Sequence, residues 1–205
     1  MSSDTDIANV AMRLLKANRI TSLTDGSNNA NAANDVFTEV RDDLLRAHNW
    51  NFAQKWAKLA KLTEVPVFEF DNAFALPSDW MRTVTVHGND AGVGAAPLYR
   101  EGEIDDQGVI LSSADEMWMR YIYKLTDPNR MAADFRTAFA YALALALPGV
   151  SNLAAAREER LEKRAETRLR RAKHSDAVGS VPERRPVGSW VTSRGGGPLT
   201  RARPG

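Results

Sequence analysis

Apolar residues recur at spacings of three and four from the start of the chain. Ile7, Val10, Ala11, Leu14 and Leu15 fall on one face, which predicts a helix. Ser3 and Asp6 supply a capping-box start, with Asp where Glu or Gln is usual. A turn cluster, TDGSNN at 24–29, separates it from a second stripe. That stripe (Ala33, Phe37, Val40, Leu44, Ala47) predicts a helix over about 29–48. The period then changes. Between Leu62 and Leu125 the chain favours strands: Thr83-Val84-Thr85-Val86 is β-branched in character, Val109-Ile110-Leu111 is a short apolar run, and residues 117–124 alternate. LPSD at 76–79, GND at 88–90 and DDQG at 105–108 break these runs as turns.

Helix returns after Thr126-Asp127-Pro128, where Asp is a good N-cap and Pro fits the first helical position. Phe135, Ala138, Phe139, Ala142 and Ala146 form a broad apolar face that Pro148-Gly149 ends. Ser151 or Asn152 then caps a fourth helix to about Lys173, with a thin stripe of Leu161, Ala165, Leu169 and Ala172. The expected fold is α+β: a bundle of about four helices carrying a small inserted antiparallel sheet, followed by an extended tail. The expected divisions are 1–61 and 126–174 for the two halves of the helical domain, 62–125 for the sheet, and 175–205 for the tail.

From Val178 onward Gly and Pro recur with no period, and Trp190 is the one large ring. Arg184, Arg185, Arg194, Arg201 and Arg203 face a single carboxylate, Glu183. Such a segment buries too little apolar surface to offset the entropy of ordering it. It reads as a tail that orders against a partner, Trp190 and the five arginines being the contact residues; the alternative is a solvated tail with no role.

The net charge of +1 hides an asymmetry. Residues 1–156 carry 14 Lys+Arg and 20 Asp+Glu, and residues 157–205 carry 13 and 6, so an acidic body (−6) ends in a basic segment (+7). Between Arg157 and Lys173 eight bases stand among four glutamates, which admits either phosphate contact or a solvated helix with internal ion pairs. The absence of Cys excludes disulfides and thiol chemistry, and the three histidines (His48, His87, His174) have no metal-ligand spacing. The longest apolar run, 138–147, is too short to span a bilayer, and MSSDTD at the start has no signal-peptide character. Asp105-Asp106 and Asp115-Glu116 are adjacent acids of a kind common in solvated turns, Ser112-Ser113 lacks a nucleophile elbow, and Gly92, Gly94 and Gly102 are not in a phosphate-loop frame. No catalytic residue, cofactor or metal is expected. His48, beside Trp50, is placed to complement the end of the second helix.

The string RDDLLRAHNWNFA at 41–53 marks a tight corner with Trp50 and Phe52 as aromatic anchors. It resembles a motif of the head-to-tail adaptor proteins of tailed bacteriophages, the tail tubular protein A-like group. LPSDWMR at 76–82, an aromatic strand, TDP at 126–128 and an alanine-rich helix follow in the family's order, over roughly residues 6–147. Asn49 stands where the family usually has Pro and Trp56 where it has Arg, as in a distant member. The resemblance implies a virion structural protein that forms a ring, usually of twelve subunits, beneath the portal. DNA would pass through its lumen without specific binding. The helical part and C-terminal tail would engage the portal, and the sheet, with Asp105 and Asp106 at its tip, would face the next tail component (nozzle or tail tube). Two other readings remain from the residues alone: a nucleic-acid-binding protein using the basic fourth helix and tail, and a virion-associated cell-wall hydrolase.

Overall fold

The computed structural model describes residues 3–64, 66–89, 97–148 and 153–179. The first helix, α1, is Asp4–Leu15; Ser3 and Asp6 form a capping box, and Lys16 leaves the helix with φ 60°. Helix α2 is Asn28–Arg46, started by the Ser27 side chain accepting from the Ala30 N–H at 3.2 Å. A 3₁₀ turn at Asn51–Ala53 leads into strands β1 (Gln54–Lys58), β2 (Ala60–Lys61), β3 (Asn72–Ala75), β4 (Trp80–Gly88), β5 (Tyr99–Ile104), β6 (Gln107–Ser112) and β7 (Met117–Tyr123). Helices α3 (Ala133–Ala146) and α4 (Ala155–Val178) complete the described chain.

The α+β class holds, but a helical bundle with one small inserted sheet does not describe this molecule. The seven strands make two antiparallel sheets, one of three strands ordered β1-β7-β4 and one of four ordered β2-β3-β6-β5. The chain passes between the sheets from β1 to β2 at Leu59, from β3 to β4 through LPSD, and from β6 to β7 through 113–116. The sheets are not an appendage. One hydrophobic core runs from Ile7, Leu45, Trp50, Phe135 and Phe139 of the helical side into Met119, Ile122, Phe74 and Ile110 of both sheets. Strand pairing also begins at Gln54, ahead of the expected boundary at Leu62.

Helices from the two ends of the chain meet, since α1, α2 and α4 all pack on α3. The apolar face of α3 explains this: Phe135, Ala138, Phe139, Leu143 and Ala144 are buried, and the alanines allow close approach. Its start differs from expectation. Asp127 accepts from the Asn129 N–H at 2.9 Å and caps only the short 3₁₀ turn Pro128–Arg130. α3 then begins separately behind Ala132, which makes no side-chain cap. The expected caps Ser151 and Asn152 lie outside the described residues, and Ala154 stands at the N-cap of α4. α4 runs on to Val178, past the expected end at Lys173 and into the expected tail.

The loop between α1 and α2 is tied to the body at Ile20 by one side chain of α1. Asn9, buried on α1, donates from Nδ2 to the Ile20 carbonyl at 3.0 Å and accepts from the Ile20 N–H at 2.9 Å. Asn9→Ala strips both partners from buried backbone groups at once. Each orphaned group costs about 1–3 kcal/mol, so the substitution is expected to lower the unfolding free energy by about 2–4 kcal/mol in a urea titration. A loss under about 1 kcal/mol would mean that water replaces the amide at both groups.

Candidate docking surfaces

The corner after α2 sets where the chain leaves the body. The Trp50 ring is fully buried, and its Nε1–H donates to the Leu44 carbonyl at 2.7 Å. The ring meets Phe135 edge-on at 4.9 Å and Phe52 at 5.7 Å. Asn51 then reaches α4. Its backbone N–H donates to the Asp176 carboxylate at 3.0 Å, and its Nδ2 donates to the Asp176 carbonyl at 2.7 Å. His48 does not cap its own helix; its Nε2 lies 3.3 Å from the Asp176 carboxylate. Arg82 of β4 donates to Asn49 Oδ1, so LPSDWMR and RDDLLRAHNWNFA, distant in sequence, touch in space. Asp79 of the same string accepts from the Tyr121 hydroxyl at 2.9 Å and pairs with Lys55. Burial, reinforced by Asp79, pushes the Tyr121 phenol up to about 12. These groups fix the corner and the sheet, and α4 ends against that corner at Gly179.

The second surface is the outer face of the three-stranded sheet. Trp56 pairs with Arg120 and Lys58 with Trp118, and paired residues share a face. Trp56 is 72% exposed and Trp118 37%. Lys58 lies over the Trp118 ring at 5.4 Å and pairs with Glu116. β1 is an edge strand and, among the described residues, pairs only with β7. An exposed edge normally carries devices against pairing with another chain. Strand β5, an edge of the other sheet, follows that rule: Arg100, Glu101 and Glu103 stand along it, all exposed. β1 carries Lys55 and Lys58, both in ion pairs, and between them presents a tryptophan. A further exposed apolar group is Val67 and Phe68 on one loop and Leu98 just before β5, and the Glu69–Arg100 pair at 2.7 Å joins that loop to the strand.

The third surface is on α4. In the linear sequence its acids and bases interleave, but the helical period sorts them. At 3.6 residues per turn, Arg157, Arg160, Arg164, Arg168 and Arg171 fall within an arc of about 80°. Glu158, Glu159, Glu162 and Glu166 fall on the opposite side. Lys163 lies outside the arginine arc and pairs with Glu159 at 2.6 Å. Among the described residues, no carboxylate pairs with Arg160, Arg164, Arg168 or Arg171.

Of the residues singled out from sequence, Asp105 and Asp106 form the two-residue tip of the β5–β6 hairpin, exposed, with φ 50° and 62°. Positive φ at both positions is the hairpin turn of the primed type, which Asp tolerates better than most residues. Trp50 and Phe52 lie together at the corner. Arg184, Arg185, Trp190, Arg194, Arg201 and Arg203 lie outside the described residues, as do Gly92 and Gly94. Asp115 and Glu116 face Lys61 and Lys58 across β1 and β2. Buried Ser112 donates to the Leu98 carbonyl at 2.9 Å. Among the described residues no group of three or more His, Asp or Glu is placed to hold a metal ion, and no helix is long and apolar enough to cross a membrane. Sequence reasoning missed the exposed face of β1 and the sorting of charge on α4; a helical projection would have revealed the second. No family model and no curated protein matches the chain.

The corner carries a pH dependence. Burial holds the His48 imidazole below its ordinary value of 6.5, and Asp176 pulls the other way without prevailing. The unfolded chain therefore takes up this proton first, and stability present above about pH 6.5 is lost as the pH falls below it. Burial raises Asp176 above 3.8, so its contribution has the opposite sign in the window just above that value. His48→Gln is expected to flatten the loss of stability between about pH 7 and 5.5, read from denaturant midpoints at each pH. An unchanged pH slope would show that the imidazole charges as freely in the folded corner as in the unfolded chain.

Proposed function

We propose that this chain is the subunit of a head-to-tail adaptor ring of a tailed bacteriophage, seated between portal and tail and extending the DNA channel. The observation that supports a contact with another copy is Trp56, 72% exposed on the open edge strand β1 beside Trp118, at a position where the chain departs from the family's Arg. A ring subunit needs a surface that the next copy covers. An edge strand with a large exposed apolar side chain is suited to that contact. In this reading the helical part and the basic segment 180–205, with Arg184, Arg185, Trp190, Arg194, Arg201 and Arg203, meet the portal. The hairpin tip at Asp105 and Asp106 points towards the next tail protein, and the ring, of about twelve copies by resemblance, works in the virion.

The test is mass measurement and symmetry-resolved micrographs of this protein bound to the portal of the same virus. A closed ring supports the reading, and one-to-one or dimeric stoichiometry overturns it. Trp56→Glu is expected to abolish the ring while shifting stability by no more than about 0.5 kcal/mol, as for an exposed site. A ring that forms normally with Trp56→Glu would place the subunit contact elsewhere.

A further inference from the structure

We propose that the arginine face of α4 is a sequence-independent site for the phosphodiester backbone of duplex DNA. The proposal goes beyond the adaptor reading and does not rest on it. Two adjoining grooves follow this face. One is lined by Leu14, Leu153, Arg157, Arg160, Leu161 and Arg164. The other, of about 450 Å³, is lined by Tyr141, Arg164, Thr167, Arg168 and Arg171. Neither lining contains a carboxylate, and Arg164 belongs to both.

Anchored and open positions divide along the helix. Arg157 donates to the Leu14 carbonyl at 2.8 Å, tying the start of α4 to the end of α1. Arg168 lies over the Tyr141 ring at 5.8 Å. Arg160, Arg164, Arg168 and Arg171 are all exposed. Five guanidiniums aligned on one helix face repel one another, and the helix carries four glutamates that would relieve this if they alternated around it. They stand on the far side instead. The face therefore presents about one uncompensated guanidinium per turn, or one every ~5.4 Å.

Nucleic acid fits that pattern better than an acidic protein surface does. Duplex DNA carries a charge about every 1.7 Å of its axis, so each rung finds a phosphate in any register. A folded protein would have to hold four carboxylates in line. The planar fork of Arg suits bidentate phosphate contact. Evenly spaced like charges with no amide among them suit the repeating phosphates rather than one base sequence.

The experiment is fluorescence anisotropy of the full chain with two labelled duplexes of unrelated sequence, titrated at several salt concentrations. Equal binding to both, weakening steeply with salt, is expected. The double variant Arg164→Gln/Arg168→Gln should reduce the slope of log K against log salt by about 1.8, at ~0.9 for each phosphate no longer neutralised. Lys163→Gln/Arg170→Gln removes the same charge from outside the face and should change the slope by less than half as much. Segment 180–205 is present in every variant, so its arginines cancel from the comparison. Circular dichroism checks that α4 remains helical in both. Absence of salt-dependent binding would overturn the site, as would equal effects of the two double variants. Displacement of the DNA by polyglutamate at matched charge concentration would assign the face to an acidic protein partner instead.

Discussion

The rest of the structure depends on the burial of one indole. Trp50 follows the end of α2, where the last carbonyls have no helical partner. Its Nε1–H satisfies the Leu44 carbonyl, and its ring fills the space against Phe135 of α3. The direction in which the chain leaves α2 is thereby fixed. It enters β1 within a few residues, while Asn51 at the same bend holds the end of α4 through Asp176. A single buried side chain thus sets the relation of two helices and the first strand, and the neighbouring residue adds a third helix. Without it, the polar contacts of the corner would have no rigid frame to be made on.

The sheets inherit their position from that corner. β1 is the edge partner of β7, whose Met117, Met119 and Tyr121 enter the core opposite the helices. Asp79 then closes the arrangement, since it holds Lys55 of β1 and Tyr121 of β7 while its carbonyl accepts from the Lys124 N–H at 2.8 Å. The core is continuous from α3 into both sheets, so the sheets share the body's core rather than standing apart from it.

How far this is legible in the sequence varies with the kind of signal. α1, α2 and β7 announce themselves by period, because one face of each is buried and the other is wet. Strand β5 reads YREGEI and is exposed along most of its length; backbone bonds to β6 define it, so its side chains carry no pattern. Strand β1 is hidden behind the aromatic corner because Trp56 suggests a core residue, and the structure turns it outward. Asp127-Pro128 is a genuine start signal spent on a single 3₁₀ turn, a local preference that packing of α3 overrode. The corner anchors Trp50 and Phe52 are visible as aromatics. Their partner Asp176 is not, since nothing local relates it to a residue so far away in the chain.

The charge of the molecule is best understood by face. Summed along the chain, α4 looks like a helix stabilised by its own ion pairs, and Lys163 with Glu159 shows that such a pair forms. Summed around the helix, the same residues separate into an acidic side, a thin buried stripe at Leu161 and Ala172, and an arginine side. Self-repulsion along the arginine side is a standing cost in the isolated chain, screened by counterions. The opposite contrast holds between the sheet edges, where β5 is charged against pairing and β1 carries an open tryptophan. Both features are unfavourable for an isolated soluble chain, one electrostatically and one through exposed apolar area. A polyanion relieves the first by releasing its own counterions, and a second protein surface relieves the second by excluding water from the indole. Because the two remedies are chemically different and lie on different elements, a partner that satisfies one leaves the other open. The proposed ring contact and the proposed DNA site therefore draw on separate features, and neither proposal accounts for the other's.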